Sequence, residues 1–254
     1  MFLPTPDPVA FDLFGLEIRW YGILIAIGML LGLLVAYKRA GSHGIDPERV
    51  VDLALISIPV GIVGARLYYV VFNWEYYQGD FFRMIDVRAG GLAIHGGLLF
   101  GIVAAGICCK LWNIRPFAFL DLMAPSIALA QSIGRWGNYF NQEAHGSPTD
   151  LPWAIEVNGQ MVHPTFLYES IWCFLLFLVL LWISRDRKFD GQIFLLYGIF
   201  YSFERFFVEQ LRTDSLMFGP FRTAQLISVA IFLLFILLYI SLNRRHGRKN
   251  RMFY

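Results

Sequence analysis

Two short stretches of this 254-residue chain concentrate the side chains that can bind an anion or move a proton. The first reads Gly134-Arg-Trp-Gly-Asn-Tyr-Phe-Asn-Gln-Glu-Ala-His-Gly146. It follows the apolar run Phe117–Ile133 without a break and sets an arginine, two asparagines, a glutamine, a glutamate and a histidine within 13 residues. Ionisable groups at a membrane edge are costly, so such a cluster is by default a functional-site hypothesis. Arg135 offers a planar fork of donors that matches a phosphate. Asn138 and Asn141 are three apart and share a face if the helix continues to them. Glu143 can accept a proton or hold an arginine. Gly134 and Gly137 let a ligand or a neighbouring helix come close to the backbone. Helix capping and polar packing would explain any one of these residues, but explain the set poorly.

The second stretch is Tyr201-Ser-Phe-Glu-Arg-Phe-Phe-Val-Glu-Gln-Leu-Arg-Thr-Asp214. At about 100° per residue, Tyr201, Arg205, Glu209 and Arg212 fall within an arc of roughly 80°. They form one polar stripe on an apolar helix, with Arg205 and Glu209 as an i,i+4 pair. The stripe holds two arginines for one clear carboxylate. Mutual neutralisation of buried charges is the structural alternative, but the surplus positive charge suits an anion, and a phosphate head group is the anion a membrane supplies. His95 sits in Gly90-Gly-Leu-Ala-Ile-His-Gly-Gly97, where the flanking glycines clear space for a ligand or another backbone. It is either a hydrogen-bonded packing residue or a proton carrier, histidine being the usual one near neutral pH. Arg66 and Glu169 lie inside apolar runs and should face the interior of a helix bundle; for Arg66, structural pairing and function are both open.

The elements that must position these groups are membrane helices. Hydrophobic residues make up 57% of the chain and charged ones 16%, against roughly 25% charged in an ordinary soluble domain; the mean hydropathy is +0.55. A net charge of +2 gives no reason to expect a nucleic-acid partner. Seven apolar runs have helical rather than barrel-strand length: Trp20–Tyr37, Val50–Phe72, Gly90–Leu111, Phe117–Ile133, Thr165–Ile183, Gly191–Gln210 and Thr223–Leu242. Gly28 with Gly32, and Gly97 with Gly101, form small-xxx-small pairs that let neighbouring helices approach. Asp46-Pro47 suits a helix start.

Between the runs, Met1–Arg19 reads as a Pro-rich segment without the basic n-region of a cleavable signal peptide. Trp74–Ala89 reads as an amphipathic surface loop. Residues 147–162 read as a small extramembrane lobe with a hairpin turn at Asn158-Gly159. Cys108, Cys109 and Cys173 have neither disulfide nor metal spacing and read as buried apolar residues. The loops at 38–49, 110–115 and 184–190 and the tail from Asn243 carry 13 of the 21 lysines and arginines. By the positive-inside rule those loops are cytoplasmic. With seven spans the N-terminus is then extracytoplasmic, the C-terminus cytoplasmic, and the 134–146 stretch lies on the outer side. The expected fold is therefore an all-α polytopic membrane protein of seven transmembrane helices. It is a single domain over residues 1–254, with a small extracytoplasmic lobe between helices four and five. On these grounds alone, a transporter or channel for an anionic solute is the competing class; it predicts polar groups along the full membrane depth, whereas here they gather in the outer half, with Arg66 as the deep exception.

The Gly134–Gly146 stretch closely resembles the signature of the prolipoprotein diacylglyceryl transferase family of bacterial inner-membrane enzymes. Similar blocks occur in family order at Arg19-Trp-Tyr-Gly22, Gly64-Ala-Arg-Leu67, Gly90–Gly97, His163-Pro-Thr165 with Leu167-Tyr-Glu169, and Tyr201–Asp214. The resemblance implies transfer of the diacylglyceryl group of phosphatidylglycerol to the lipobox cysteine thiol of prolipoprotein signal peptides. A thioether forms and glycerol 1-phosphate leaves, with no metal or soluble cofactor; nothing in it fixes an oligomeric state. It further implies that His95 takes the thiol proton, that Arg135 and Arg205 grip the phosphate, that Tyr21, Asn138, Asn141 and Tyr201 position the head group, and that Glu143 and Glu209 orient the arginines. One residue departs from the family pattern: Glu204 stands beside Arg205 where an apolar side chain is expected.

Overall fold

The structure, a computed structural model, describes residues 6–87 and 90–251, the side chains of 247–251 excepted. Met1–Thr5, Arg88 and Ala89, and the tail side chains Arg248, Lys249 and Arg251 of the orientation argument lie outside the described residues. The fold is helical. In chain order the helices are α1 (Trp20–Arg39), α2 (Pro47–Phe72), the short α3 (Trp74–Tyr77) and α4 (Phe81–Ile85), α5 (Ile94–Leu111), α6 (Pro116–Phe140), α7 (Thr165–Ile183), α8 (Gln192–Leu211) and α9 (Thr223–Arg251). Three two-stranded antiparallel hairpins join or precede them: β1 (Val9–Leu13) with β2 (Leu16–Arg19), β3 (Ile155–Val157) with β4 (Gln160–Val162), and β5 (Met217–Phe218) with β6 (Phe221–Arg222).

Among the described residues, six helical stretches are long and apolar enough to cross a membrane, belonging to α1, α2, α5, α6, α7 and α9. Their outward side chains are greasy: Leu30, Leu55, Ile102 and Leu237 are all exposed. That is how a multi-pass protein meets lipid. The seventh expected span, α8, is a 20-residue helix, but Glu204, Arg205 and Glu209 keep it out of the six.

The chain divides into two compact units. In the unit of residues 36–119, α2 and α5 run antiparallel through facing glycines. A Cβ on Gly61 would come 3.2 Å from the Gly97 carbonyl oxygen, and one on Gly96 would run into the Gly64 carbonyl and the Tyr68 side chain. Backbones this close need small residues. The expected third span begins four residues later than hydropathy alone placed it. Gly90 (φ 82°) and Gly91 (φ 72°) adopt left-handed backbone that a helix cannot use. Buried Arg66 fixes that turn, donating from Nη1 to the Gly90 and Gly91 carbonyls (2.7 and 3.0 Å), from Nε to Met84 O (3.0 Å) and from Nη2 to Arg83 O (2.6 Å). Arg66 is thus a backbone clamp. Asp46 caps α2, accepting from the Glu48 N–H at 3.1 Å.

The other unit comprises residues 1–35 and 120–254 and holds both chemistry-bearing stretches. Helix α1 lies on α6 through Gly28 and Gly32, whose Cβ atoms would come 3.1 and 3.0 Å from the Ala130 and Ser126 carbonyls. The expected N-terminal segment is a hairpin, turning at Phe14 (φ 54°) and Gly15 (φ 81°). The β3–β4 hairpin turns at Asn158 (φ 51°) and Gly159 (φ 79°), the two positive φ values a two-residue type I′ loop requires. The expected 74–89 loop contains α3 and α4.

Helices α6 and α8 are joined at their N-terminal ends by one carboxylate. Fully buried Asp121 accepts from the Gly191 N–H (2.8 Å) and the Phe194 N–H (2.9 Å), and pairs with Arg187 at 3.4 Å. It therefore caps α8 from α6 and sets the two helices running the same way. Asp121→Ala strands those donors, and we expect it to lower stability by about 2 kcal/mol, read as an earlier thermal unfolding of the detergent-solubilised protein.

Candidate functional site

Helix α6 does not stop where its apolar run ends. It continues through Phe140, so Gly134–Phe140 are its last two turns rather than a loop. Asn141 N–H still donates to Gly137 O at 3.0 Å, and the chain then turns through Gln142 and Ala144, both at positive φ. Trp20 at the start of α1 stacks on Phe140 at 5.1 Å, and Tyr21 lies against Gly137, where a Cβ would come 2.6 Å from its ring. That is why glycine stands at position 137.

Arg135 and Arg205 meet at a shared partner. Each lies 14 residues beyond the point where Asp121 joins the two helices, 121 to 135 in one and 191 to 205 in the other. At 1.5 Å per residue that is ~21 Å along each axis, so parallel helices bring both arginines to one level. Between them, from α7, stands Glu169, 1% exposed. Its Oε1 accepts from Arg205 Nη1 at 2.9 Å and is 3.1 Å from Arg135 Nη2. Arg205 Nη2 forms an ion pair with buried Glu209 at 2.5 Å, and Arg135 Nη2 donates to the Tyr201 hydroxyl at 3.1 Å. Trp136 Nε1 to Ser170 Oγ (3.1 Å) and Ser170 Oγ to Ser132 O (2.8 Å) hold α6 and α7 together beside the cluster.

An arginine carries five N–H donors. Arg135 Nε and Nη1 and Arg205 Nε make no hydrogen bond to the described residues, and both side chains remain 19% exposed. The two guanidiniums are held in place by carboxylates and still present unused donors.

The expected surplus of positive charge on α8 is corrected by two observations. Arg212 does not share the stripe, because α8 ends at Leu211 and Arg212 is extended (φ −71°, ψ 145°). It pairs with Asp214 through two hydrogen bonds, at 2.9 and 2.7 Å, which hold the Asp214 carboxyl below the usual carboxylate range. Arg205 is shared by two carboxylates, Glu169 and Glu209. Buried guanidinium groups need such partners, since an uncompensated charge there costs several kcal/mol. Glu143 does not orient the arginines either. It is exposed and accepts from the Asn138 amide at 3.0 Å and the Asn141 amide at 3.4 Å, so it fixes the two asparagines. The carboxylates that contact the arginines are Glu169 and Glu209. Glu169 was legible as a carboxylate inside an apolar run, but only the fold shows that it joins two helices.

The end of the motif is threaded between α7 and α8. Gly146 N–H donates to His163 O (2.9 Å), Ser147 N–H to Leu211 O (2.7 Å) and His163 N–H to Ser147 O (3.0 Å). Thr165 Oγ1 donates to Ala144 O. A Cβ on Gly146 would come 2.6 Å from that of His163. Arg222 of β6 closes the end of α8 by donating from Nη1 to Glu209 O (2.8 Å) and Arg212 O (2.5 Å). His95 belongs to the 36–119 unit, where it is exposed in the first turn of α5 with the Tyr68 ring 6.4 Å away. Among the described residues no group of three or more His, Cys, Asp or Glu side chains could hold a metal ion.

Known proteins of the same kind exist. The family model described as prolipoprotein diacylglyceryl transferase matches residues 8–241. Three relatives carry the name phosphatidylglycerol–prolipoprotein diacylglyceryl transferase. That of Clostridioides difficile (strain 630) is 51% identical over 240 residues, covering 94% of this chain and 97% of its own. That of Finegoldia magna is 48% identical with the same coverage. That of Staphylococcus aureus (strain JH9) is 47% identical over 247 residues, 92% of this chain and 88% of its own. Solute transport finds no support among them. With the match spanning nearly the whole chain, including every block that carries the arginine cluster, the chain belongs to the prolipoprotein diacylglyceryl transferase family.

Proposed function

We propose that the Arg135–Glu169–Arg205 cluster is where this chain transfers the diacylglyceryl group of phosphatidylglycerol to the cysteine thiol of a prolipoprotein. The observation that carries this reading is the pair of arginines from two helices, fixed by one carboxylate oxygen and keeping unused donors. In the reaction the cysteine sulfur bonds to the terminal glyceryl carbon of the lipid. The carbon–oxygen bond to phosphate breaks, and its electron pair leaves on glycerol 1-phosphate. Negative charge grows on the phosphate as that bond lengthens, and preorganised guanidiniums stabilise such charge best where water is scarce. Arg135 and Arg205 are assigned that task. Tyr201 and Glu209 hold the guanidiniums in place, and Tyr21, Asn138 and Asn141 position the head group, the asparagines set by Glu143.

A thiol with pKa near 8.5 must lose its proton to attack. His95 is assigned as acceptor, supported by its chemistry and its place in the Gly90–Gly97 block. The chain is read as one membrane domain of seven spans with α8 as the sixth, since 20 residues reach ~30 Å. The N-terminus and the cluster then lie on the extracytoplasmic face of the bacterial inner membrane, as the lysine and arginine distribution supports.

Purified protein given phosphatidylglycerol and a lipobox peptide should release glycerol phosphate and lipid-modified peptide in equal amounts; solute flux without a covalent product would overturn the assignment. Arg135→Gln and Arg205→Gln should each lower kcat/KM by about 100-fold or more in folded protein, and a variant with unchanged transfer removes that arginine from the clamp. His95→Gln with near-normal turnover would exclude it as the proton acceptor.

A further inference from the structure

Glu204 has no part in the chemistry above. It is 5% exposed, and neither carboxyl oxygen has a hydrogen-bond partner. On α8 it falls about 100° from Arg205, on the face that buries Ile193 and Val208. The charged and titratable groups that face it are Arg205 of its own helix, Arg135 of α6, and Glu169 and Cys173 of α7. Both arginines are already engaged, Arg135 by Glu169 and Arg205 by Glu169 and Glu209.

A buried carboxylate without hydrogen bonds costs several kcal/mol, and such a group neutralises instead. Two guanidiniums against two carboxylates already sum to zero. An ionised Glu204 would give the cluster a net negative charge before any phosphate arrived, and a phosphodiester would then enter against it.

We infer that Glu204 is an uncharged acid whose ionisation weakens phosphate binding at the neighbouring arginines, so that the lipid's affinity depends on a proton held beside the site. This rests on the arginine-clamp reading above. Glu204 acts through the arginines and is a positioning residue. The sign follows directly. Affinity is full while the acid keeps its proton and falls as pH rises through its ionisation; reciprocally, bound phosphate makes the proton harder to remove. A phosphodiester keeps one negative charge across that range, so the change belongs to the protein.

The test uses the full chain in detergent and short-chain phosphatidylglycerol, without peptide, titrated calorimetrically from about pH 6.5 to about pH 9.5. Wild-type affinity should fall about tenfold. In Glu204→Gln the fall is absent, and in Glu204→Met, should the glutamine variant not fold, it is likewise absent. Infrared spectra near neutral pH should show a protonated-carboxyl band in the wild type that either variant lacks. Absence of that band, or one pH profile shared by wild type and variants while Arg135→Gln binds weakly, overturns the Glu204 inference alone. An Arg135→Gln chain that binds the lipid as tightly as wild type overturns the clamp on which it rests.

Discussion

Glu169 Oε1 pairs with two guanidiniums at once, and much of this protein's local architecture serves that contact. A carboxylate 1% exposed inside an apolar helix is tolerable only if its charge is met. Meeting it draws α6 and α8 onto α7, and the three helices cannot slide past one another without separating opposite charges where water is scarce. The same pairing keeps the arginines rigid. On the proposed role of the cluster, guanidiniums free to follow solvent would have to reorganise as negative charge grows on the leaving group, a reorganisation that a preformed site avoids.

Packing supplies the rest of the rigidity by a different route. Lipid tails are as apolar as leucine, so burying leucine does little to bring membrane helices together; close backbone contact and interhelical hydrogen bonds do more. Glycines therefore recur where helices touch, at Gly28 and Gly32 of α1 against α6 and at Gly61, Gly64, Gly96 and Gly97 between α2 and α5. Arg66 and Asp121 play matching parts in their respective units. Each is a buried charge directed at backbone groups that a helix end or a turn leaves unpaired.

Much of this was legible in the chain itself. The apolar runs anticipated the long helices among the described residues, six of them long and apolar enough to cross a membrane and α8 not, and Asn158-Gly159 announced its hairpin through the positive φ that both residues tolerate. Boundaries were less visible. Helix α6 outruns its apolar stretch by seven residues, since its last turns are held by Tyr21, Trp20 and a continued backbone ladder rather than by lipid. Helix α5 starts late because the carbonyls ahead of it belong to Arg66. At the site, Arg135, Arg205, Tyr201 and Glu209 stood out as polar residues with helical spacing. The charge balance did not. A stripe read along one helix cannot show that a carboxylate from another helix lies between its arginine and a second one, nor that Arg212 has left the helical face.

Asp121 gives the site a ruler. It fixes where α6 and α8 begin to run together, and equal intervals of 14 residues then carry an arginine on each to the same height. Such an interval is indifferent to much of its composition but not to its length. Inserting or deleting a single residue in either segment would rotate its arginine by about 100° and shift it by ~1.5 Å, while leaving every side chain of the cluster in the sequence. The site is thus written partly in a count of residues, which no inspection of the functional side chains alone would reveal.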